Sequence, residues 1–299
     1  MNILVTGANG QLGQCIRHVS HFLPQAKFWF ATSADLDITQ SEKVASYFDK
    51  HPFDFCINTA AYTAVDKAET EKEKAFAVNL SGAENLAHYC LQTNTKLIHI
   101  STDFVFDGSN PEPYTEASLL NPLGVYGESK VAGEQSIQEY SANALIVRTS
   151  WLYATFGHNF LKTMLKLAQT RSQISVVYDQ VGTPTFAEDL AKALLLIVSH
   201  IERNPTENFG GIYHYSNEGV CSWYDFAHAI FSYTKTPVSL LPIRSGQYPT
   251  LAKRPAYSVL DKQKIKQTFG LVIPHWQESL HRCLDQLSHA HHQATPQPD

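Results

Sequence analysis

Tyr126 and Lys130 stand four residues apart in Val125-Tyr126-Gly127-Glu128-Ser129-Lys130. On a helix that spacing puts both side chains on one face. Tyrosine ordinarily loses its proton near pH 10. A lysine ammonium close by favours the phenolate and draws that pKa toward working pH, which suits proton transfer to a reacting oxygen. The run Leu97-Ile98-His99-Ile100-Ser101-Thr102-Asp103 reads as a buried strand ending in hydroxyls. Thr102 or Ser101 then lies at the strand's carboxyl end. Thr102, 24 residues before Tyr126, can donate to a substrate oxygen and help tune the tyrosine. Each feature has a blander reading: a Tyr/Lys pair on a helix surface, or a turn hydroxyl.

A second constellation sits at the N-terminus. Val5-Thr6-Gly7-Ala8-Asn9-Gly10-Gln11-Leu12-Gly13 ends a strand and opens a helix, with its glycines in a G-x-x-G-x-x-G pattern. Gly7 permits the tight turn, Gly10 lets backbone approach a pyrophosphate, and Gly13 allows close helix–strand packing. The helix N-terminus offers free N–H groups and positive potential to the phosphates. A bare glycine turn is the bland alternative; the strand–helix context favours a dinucleotide. Lys130 can then donate to ribose hydroxyls of that cofactor. After the next strand, where an Asp or Glu would select NADH, stand Thr32 and Ser33. That leans toward NADPH, or use of both NADPH and NADH. Asp37, slightly later, is either an adenine-side contact or a turn carboxylate. Phosphate loop, strand-end threonine and Y-x-x-x-K in this order are more specific than any one of them.

These residues need a scaffold that collects strand ends. Strand patterns fall at Asn2–Thr6, Lys27–Ala31, Phe53–Asn58, Lys96–Ser101 and Ala144–Ser150. Helical patterns fall between them, at Gln11–Phe22, Gln40–His51, Glu69–Thr93 and Gly127–Glu139. Such alternation predicts an α/β fold, a doubly wound parallel sheet of the Rossmann kind, with ligands at the carboxyl ends of its strands. Residues 1–150 form the expected dinucleotide-binding domain. Residues 151–288 form mainly a smaller C-terminal substrate-binding lobe, with segments near 185–200 and 211–216 returning to the main sheet. The polar tail, 289–299, reads as disordered.

Bulk properties narrow the function. The chain has 299 residues and a net charge of −5, so no basic field recruits nucleic acid or a membrane surface. The apolar stretch Leu190–Ile201 is too short to span a bilayer. The five cysteines are scattered and form no C-x-x-C pair, which fits reduced, buried thiols better than disulfides or zinc ligands. Together with the absence of a signal-peptide pattern, this points to the cytoplasm.

The chain resembles the extended short-chain dehydrogenase/reductase superfamily, and within it the dTDP-4-dehydrorhamnose reductases. The resemblance rests on the motifs above and on Asn58-Thr59-Ala60-Ala61-Tyr62-Thr63-Ala64-Val65-Asp66-Lys67-Ala68-Glu69, Ser101–Gly108, Asn121–Gly127, Arg148-Thr149-Ser150-Trp151, Asp179-Gln180-Val181-Gly182-Thr183-Pro184-Thr185, Tyr248-Pro249-Thr250 and Arg254-Pro255. It implies that Gly10, Gln11 and Leu12 contact the cofactor pyrophosphate and that Asp37 and Ile38 flank adenine. Ala61, Tyr62 and Thr63 then line the ribose and nicotinamide side. Thr102 and Asp103 touch the sugar, Trp151 packs against it, Tyr126 donates the proton and Lys130 is its electrostatic partner. The implied reaction is reduction of the 4-keto group of dTDP-4-dehydro-L-rhamnose to dTDP-L-rhamnose, on a nucleotide-sugar substrate.

The competing local readings are a core tryptophan at Trp151 and a surface charge at Arg254. An arginine in an irregular segment of an acidic chain also suits a diphosphate grip. The charge run from Asp66 to Lys74 reads mostly as a solvated face. The resemblance further suggests a homodimer helped by Mg²⁺. Here Cys15 stands where a carboxylate is expected, leaving Glu188 and Asp285 as possible ligands. Among rival functions, a 4,6-dehydratase needs a Thr-Asp-Glu-like strand end, and Phe104 cannot remove a proton. A nucleotide-sugar 4-epimerase remains compatible with the motifs. So does a noncatalytic regulatory subunit resembling the methionine adenosyltransferase beta subunit, although the intact Tyr126, Lys130 and Thr102 favour catalysis.

Overall fold

The computed structural model describes residues 1–294, with side chains through His289. Its centre is a parallel sheet whose strands are buried on both faces, as near-continuous apolar runs such as Ile3-Leu4-Val5 and Phe55-Cys56-Ile57 require. The chain runs β1 (Asn2–Thr6), α1 (Gln11–Val19), β2 (Lys27–Ala31), α2 (Ser41–Lys50) and β3 (Phe55–Asn58). It continues through α3 (Val65–Ala68), α4 (Lys72–Phe76), α5 (Gly82–Gln92), β4 (Lys96–Thr102), α6 (Val125–Tyr140) and β5 (Leu145–Thr149). Then follow β6 (Leu152–Tyr153), α7 (Phe160–Ala168), β7 (Gln173–Val177), β8 (Val181–Gly182), β9 (Thr185–Phe186), α8 (Ala187–Arg203) and β10 (Gly211–His214). The last elements are β11 (Cys221–Ser222), α9 (Trp223–Thr234), β12 (Ser239–Ile243), α10 (Gln263–Phe269) and α11 (Trp276–Ala294).

The main sheet has six strands in the order β10-β5-β4-β3-β1-β2, all parallel. This is the doubly wound Rossmann arrangement expected from strand–helix alternation. One face packs on α1 and α8 through Ile16, Leu190 and Leu194; the other packs on α2, α5 and α6 through Val44, Leu86 and Ile137. The C-terminal lobe has its own core, where Leu161 of α7, Ile174 of β7, Phe226 of α9 and Leu280 of α11 meet. β12 pairs with β7 in parallel there. α8 and β10 belong spatially to the main sheet, β10 lying beside β5.

Three local differences from the sequence pattern are present, the first two with a physical cause. The single helix expected over Glu69–Thr93 is broken into α4, a wide π turn over Ala77–Ser81, and α5. Buried Asn79 sits in that turn and spends its amide on the backbone of Tyr62 and the hydroxyl of Ser129. A π turn of this kind commonly marks a functional region. In the returning segment near 185–200 the helix begins only at Ala187, because Thr185 and Phe186 pair with β6. The disordered tail expected from residue 289 overlaps α11, which continues to Ala294; the rest of that expectation lies outside the described residues. All five cysteines are buried and free.

Candidate functional site

The phosphate loop begins where β1 ends. Gly7 has φ +65°, and a Cβ there would come 2.6 Å from the backbone nitrogen of Ala60. A Cβ on Gly13 would come 2.6 Å from the carbonyl oxygen of Gly7. The loop therefore closes against β3 and α1 only because these side chains are missing. No side chain caps α1 and no acid lies in its first turn. The first intrahelical bond is Gln14 N–H to Gly10 C=O, so the N–H groups of Gln11, Leu12 and Gly13 precede it. An uncapped, acid-free helix start on a glycine turn fits a dinucleotide pyrophosphate. Gln11 also ties this loop to the C-terminal half, its Oε1 accepting from Asn159 Nδ2 at 2.9 Å.

Beyond β2 the polar groups satisfy one another. Asp35 accepts from the backbone and hydroxyl of Thr32. Asp37 accepts from the backbone and hydroxyl of Thr39 and from Gln40, and the Thr39 hydroxyl holds its carboxyl below the usual carboxylate range. The turn-carboxylate role considered for Asp37 is thus present. Ile38 is buried against Gly82 at the start of α5. Ala61 is half-buried and Thr63 exposed; between them Tyr62 is pinned by Asn79, its hydroxyl donating to Glu71 at 3.1 Å.

Thr102 and Asp103 end β4, and both are buried. The Thr102 hydroxyl donates to Asp103 Oδ1 at 3.1 Å and accepts from Phe104 N–H at 3.2 Å, so it caps the short turn Asp103–Val105. Asp103 Oδ2 and the neighbouring Ser101 hydroxyl are buried without a hydrogen-bond partner. Ser258 approaches the Asp103 carboxyl closely enough to favour its ionised form, without closing a bond of good geometry to Oδ2. Burial wins, and the carboxyl is pushed up to about 6. Orphaned polar atoms of this kind are costly and suit a polar ligand.

Tyr126 sits in the first turn of α6, its ring edge-on to Phe104 with centroids 5.6 Å apart. The ring is half-buried while its phenol end is enclosed. Burial, aided by Asp103, pushes the phenol up to about 12, against the opposing hydroxyl of Thr102. The expectation that Lys130 draws this pKa down is therefore corrected here. The Lys130 amine is turned to the sheet, donating to the Ile100 carbonyl at 2.7 Å, with His99 Nε2 at 3.2 Å. Burial lowers Lys130 to about 8, with Glu134 acting in the opposite sense. A phenol with a raised pKa stays protonated at neutral pH, which is the state a proton donor needs.

Two residues of the supposed solvated charge run hold the site in place. Glu69 accepts from Val125 N–H at 3.0 Å and so caps the helix that carries Tyr126. Asp66 takes the Arg254 guanidinium bidentately, at 3.1 and 2.6 Å. Arg254 lines a cavity of about 780 Å³ together with Leu123, Phe160, Trp223, Tyr248 and Lys253. Tyr126, Lys130 and Thr102 are not in its wall, but Leu123 is three residues from Tyr126. Trp151, with φ +46°, stacks on Trp223 at 3.5 Å and 6°, its other side close to Gly182. Trp223 is thus the tryptophan in the cavity wall, with Trp151 stacked on it.

Sequence reasoning missed Trp223, Asn79, Asn58 and His99. The last two carried a readable signal, since an amide closes the apolar strand Phe55–Asn58 and an imidazole interrupts the apolar stretch 97–100 of Lys96–Thr102. Glu188 is engaged by Lys192 and Gln286, and Asp285 by the Tyr233 hydroxyl. Among the described residues no group of three or more His, Cys, Asp or Glu is placed to hold a metal ion. Nor is any described helix long and apolar enough to cross a membrane.

The chain matches the family model of the RmlD substrate binding domain over residues 1–289. It is 41% identical over 284 residues to a dTDP-4-dehydrorhamnose reductase of Aggregatibacter actinomycetemcomitans, covering 93% of this chain and 96% of that one. A crystal structure of a dTDP-4-dehydrorhamnose reductase from Clostridium acetobutylicum superposes with a TM-score of 0.91 at 40% identity, covering 96% of this chain and all of that one. Another from Bacillus anthracis, in complex with NADP, gives 0.89 at 38% identity, covering 95% of this chain and 99% of that one. The coverage runs through both lobes and through every motif that carries the site, and the chain belongs to the dTDP-4-dehydrorhamnose reductase family.

Proposed function

We propose that the chain is an NAD(P)H-dependent reductase of the 4-keto group of dTDP-4-dehydro-L-rhamnose, yielding dTDP-L-rhamnose. Residues 1–150 bind the dinucleotide, and residues 151–288 mainly the substrate. The observation that carries this reading is the meeting of Tyr126 and Thr102 at the carboxyl end of β4 in a chain of this family. The nicotinamide cofactor, when bound, supplies the hydride. Gly7, Gly10 and Gly13 shape the pyrophosphate cradle, with the N–H groups of Gln11 and Leu12 directed by α1. Asp37 and Ile38 lie on the adenine side, and Ala61, Tyr62 and Thr63 on the ribose and nicotinamide side.

In the reaction, Tyr126 gives its phenol hydrogen to the oxygen of the reduced carbon. Its raised pKa keeps that hydrogen in place at neutral pH. Thr102 and Asp103 hold the sugar, the orphaned Asp103 Oδ2 accepting a sugar hydroxyl. Lys130 contacts the cofactor ribose. Arg254, with Lys253 beside it, meets the diphosphate, and Trp223, backed by Trp151, offers its face to the nucleotide side. Five buried free thiols support a cytoplasmic setting. The homodimer stands on the resemblance alone, and Glu188 and Asp285, each already engaged, give Mg²⁺ little purchase.

A coupled assay tests this directly. Purified protein given dTDP-4-dehydro-L-rhamnose should oxidise NADPH or NADH in one-to-one proportion to sugar reduced. Cofactor binding without oxidation would instead support the regulatory-subunit reading. Product formed without net cofactor consumption would point to an epimerase.

A further inference from the structure

One buried titratable group has no part in the reaction as described. His99 lies in β4, and both of its ring nitrogens face nitrogen atoms. Nδ1 is 2.9 Å from Asn58 Nδ2, and Nε2 is 3.2 Å from Lys130 Nζ. The orientation of Asn58 is fixed from its other end. Its Oδ1 accepts from the Thr6 hydroxyl at 2.6 Å and from Ala60 N–H at 3.1 Å. A backbone N–H can only donate, so the amide oxygen must face Ala60 and the amide nitrogen must face His99. That nitrogen also only donates, so His99 Nδ1 accepts. A neutral imidazole with an accepting Nδ1 carries its hydrogen on Nε2, aimed at Lys130. An ammonium has no lone pair to receive that hydrogen; a neutral amine has one. The Ile100 carbonyl accepts from Nζ in either state.

The surrounding charges do not undo this. Glu134, one turn along α6 from Lys130, is held bidentately by Arg148 of β5 at 2.9 and 2.6 Å, inside a pair that is itself fully buried. Tyr126 on the same helix is a neutral phenol. Asp103 at the end of β4, pushed up to about 6, is ionised near pH 8, but its carboxyl is engaged by Thr102 and makes no ion pair with Lys130. Burial holds His99 well below its ordinary value, so its cationic form is disfavoured.

We propose that His99 is a positioning residue for Lys130: fixed as the Nε2–H tautomer by Asn58 and Thr6, it favours the neutral amine of the lysine seated on Ile100. Above its midpoint, Lys130 takes up one proton from solvent when the cofactor's ribose hydroxyls replace His99 as its partners. The inference rests on Lys130 being the ribose contact. It makes cofactor binding proton-linked, and the proton taken up is separate from the one Tyr126 delivers. Burial of Lys130, which lowers it to about 8, works in the same direction.

The test uses the full chain without cofactor. Nitrogen-15 NMR of labelled histidine should show His99 with hydrogen on Nε2, and Asn58→Ala should lose that single tautomer. Nitrogen-15 NMR of labelled lysine should give a Lys130 midpoint near 8 that rises by about one unit or more in His99→Gln, whose amide oxygen can turn toward Nζ. The dissociation constant for NADPH should then rise about tenfold per pH unit above the Lys130 midpoint, with the onset displaced upward in His99→Gln. An Nδ1–H tautomer in the unsubstituted protein overturns the proposal even if both variants fail to fold. So does a Lys130 midpoint indifferent to His99→Gln, or NADPH affinity indifferent to pH across that midpoint. Intact tautomer and midpoint in a chain that fails to reduce the keto-sugar would support this proposal and sink the reading of the reaction.

Discussion

The two halves of the site are held by different means. At the β4–α6 edge, polar groups are locked inside the protein. Thr6, Asn58, His99 and Lys130 form a buried chain, and Arg148 and Glu134 pair with almost no exposure. At the cavity of the C-terminal lobe, Arg254, proposed to grip the diphosphate, is partly exposed, and its partner Asp66 is a carboxylate that a diphosphate could replace. Buried polar networks fix geometry because every broken contact leaves an unsatisfied group in low dielectric. An exposed ion pair costs little to open, because water solvates both partners. In the proposed reaction the chemistry falls in the rigid half, and the part that would admit a large anionic substrate falls in the yielding one.

Substitutions can break that contrast, beginning with the largest effect. Tyr126→Phe removes the proposed proton donor without disturbing the glycine cradle. Its kcat should fall by about 10²–10⁴-fold while NADPH affinity measured by fluorescence titration stays nearly unchanged. Unchanged turnover would remove Tyr126 from its role. Next, Glu134→Ala leaves Arg148 as an unpaired buried charge. It should cost about 3–5 kcal/mol in urea unfolding, and a loss under 1 kcal/mol would show the pair to be solvated.

Asp103 tests the same half through pH. Its folded-state pKa is raised from 3.8 to about 6, so the folded protein holds the proton more tightly than the unfolded chain. The sign follows: stability is retained below the unfolded value and declines as pH rises from 3.8 to about 6. The penalty at neutral pH is on the order of 3 kcal/mol. Asp103→Asn should flatten that part of the stability–pH curve, and an unaltered slope between pH 4 and 6 would exclude Asp103 as its source. The smallest effect belongs to the yielding half. Arg254→Ala should raise the substrate KM about tenfold, losing one charge-assisted contact, while stability changes by less than about 1 kcal/mol. A large stability loss with an unaffected KM would reverse the contrast drawn between the halves.

Much of the scaffold was legible because its signals are local. The β1–α1 glycines, the apolar strand runs and the four-residue Tyr126–Lys130 spacing each declare their geometry within a dozen residues. Partners far apart in sequence were not legible. Asp66 and Arg254 are 188 residues apart, and the charge run around Asp66 reads locally as surface. Glu69 caps α6 across 56 residues. Trp223 stacks on Trp151 from another element, so the tryptophan inside a recognisable motif drew attention from the one that lines the cavity.

The sequence by itself determined the doubly wound sheet, the glycine turn at the end of β1, and the placing of Tyr126 and Lys130 on one helix with Thr102 at a strand's carboxyl end. Periodicity and spacing act over single elements, and strand–helix alternation leaves few topologies open. Only the tertiary structure decided the protonation of those groups and their partners. A pKa depends on how completely folding strips water from a group and which dipoles then face it, and no neighbour in sequence sets either. Hence Tyr126 is raised to about 12 where spacing to Lys130 suggested a fall, and Lys130 is turned toward His99 and Ile100.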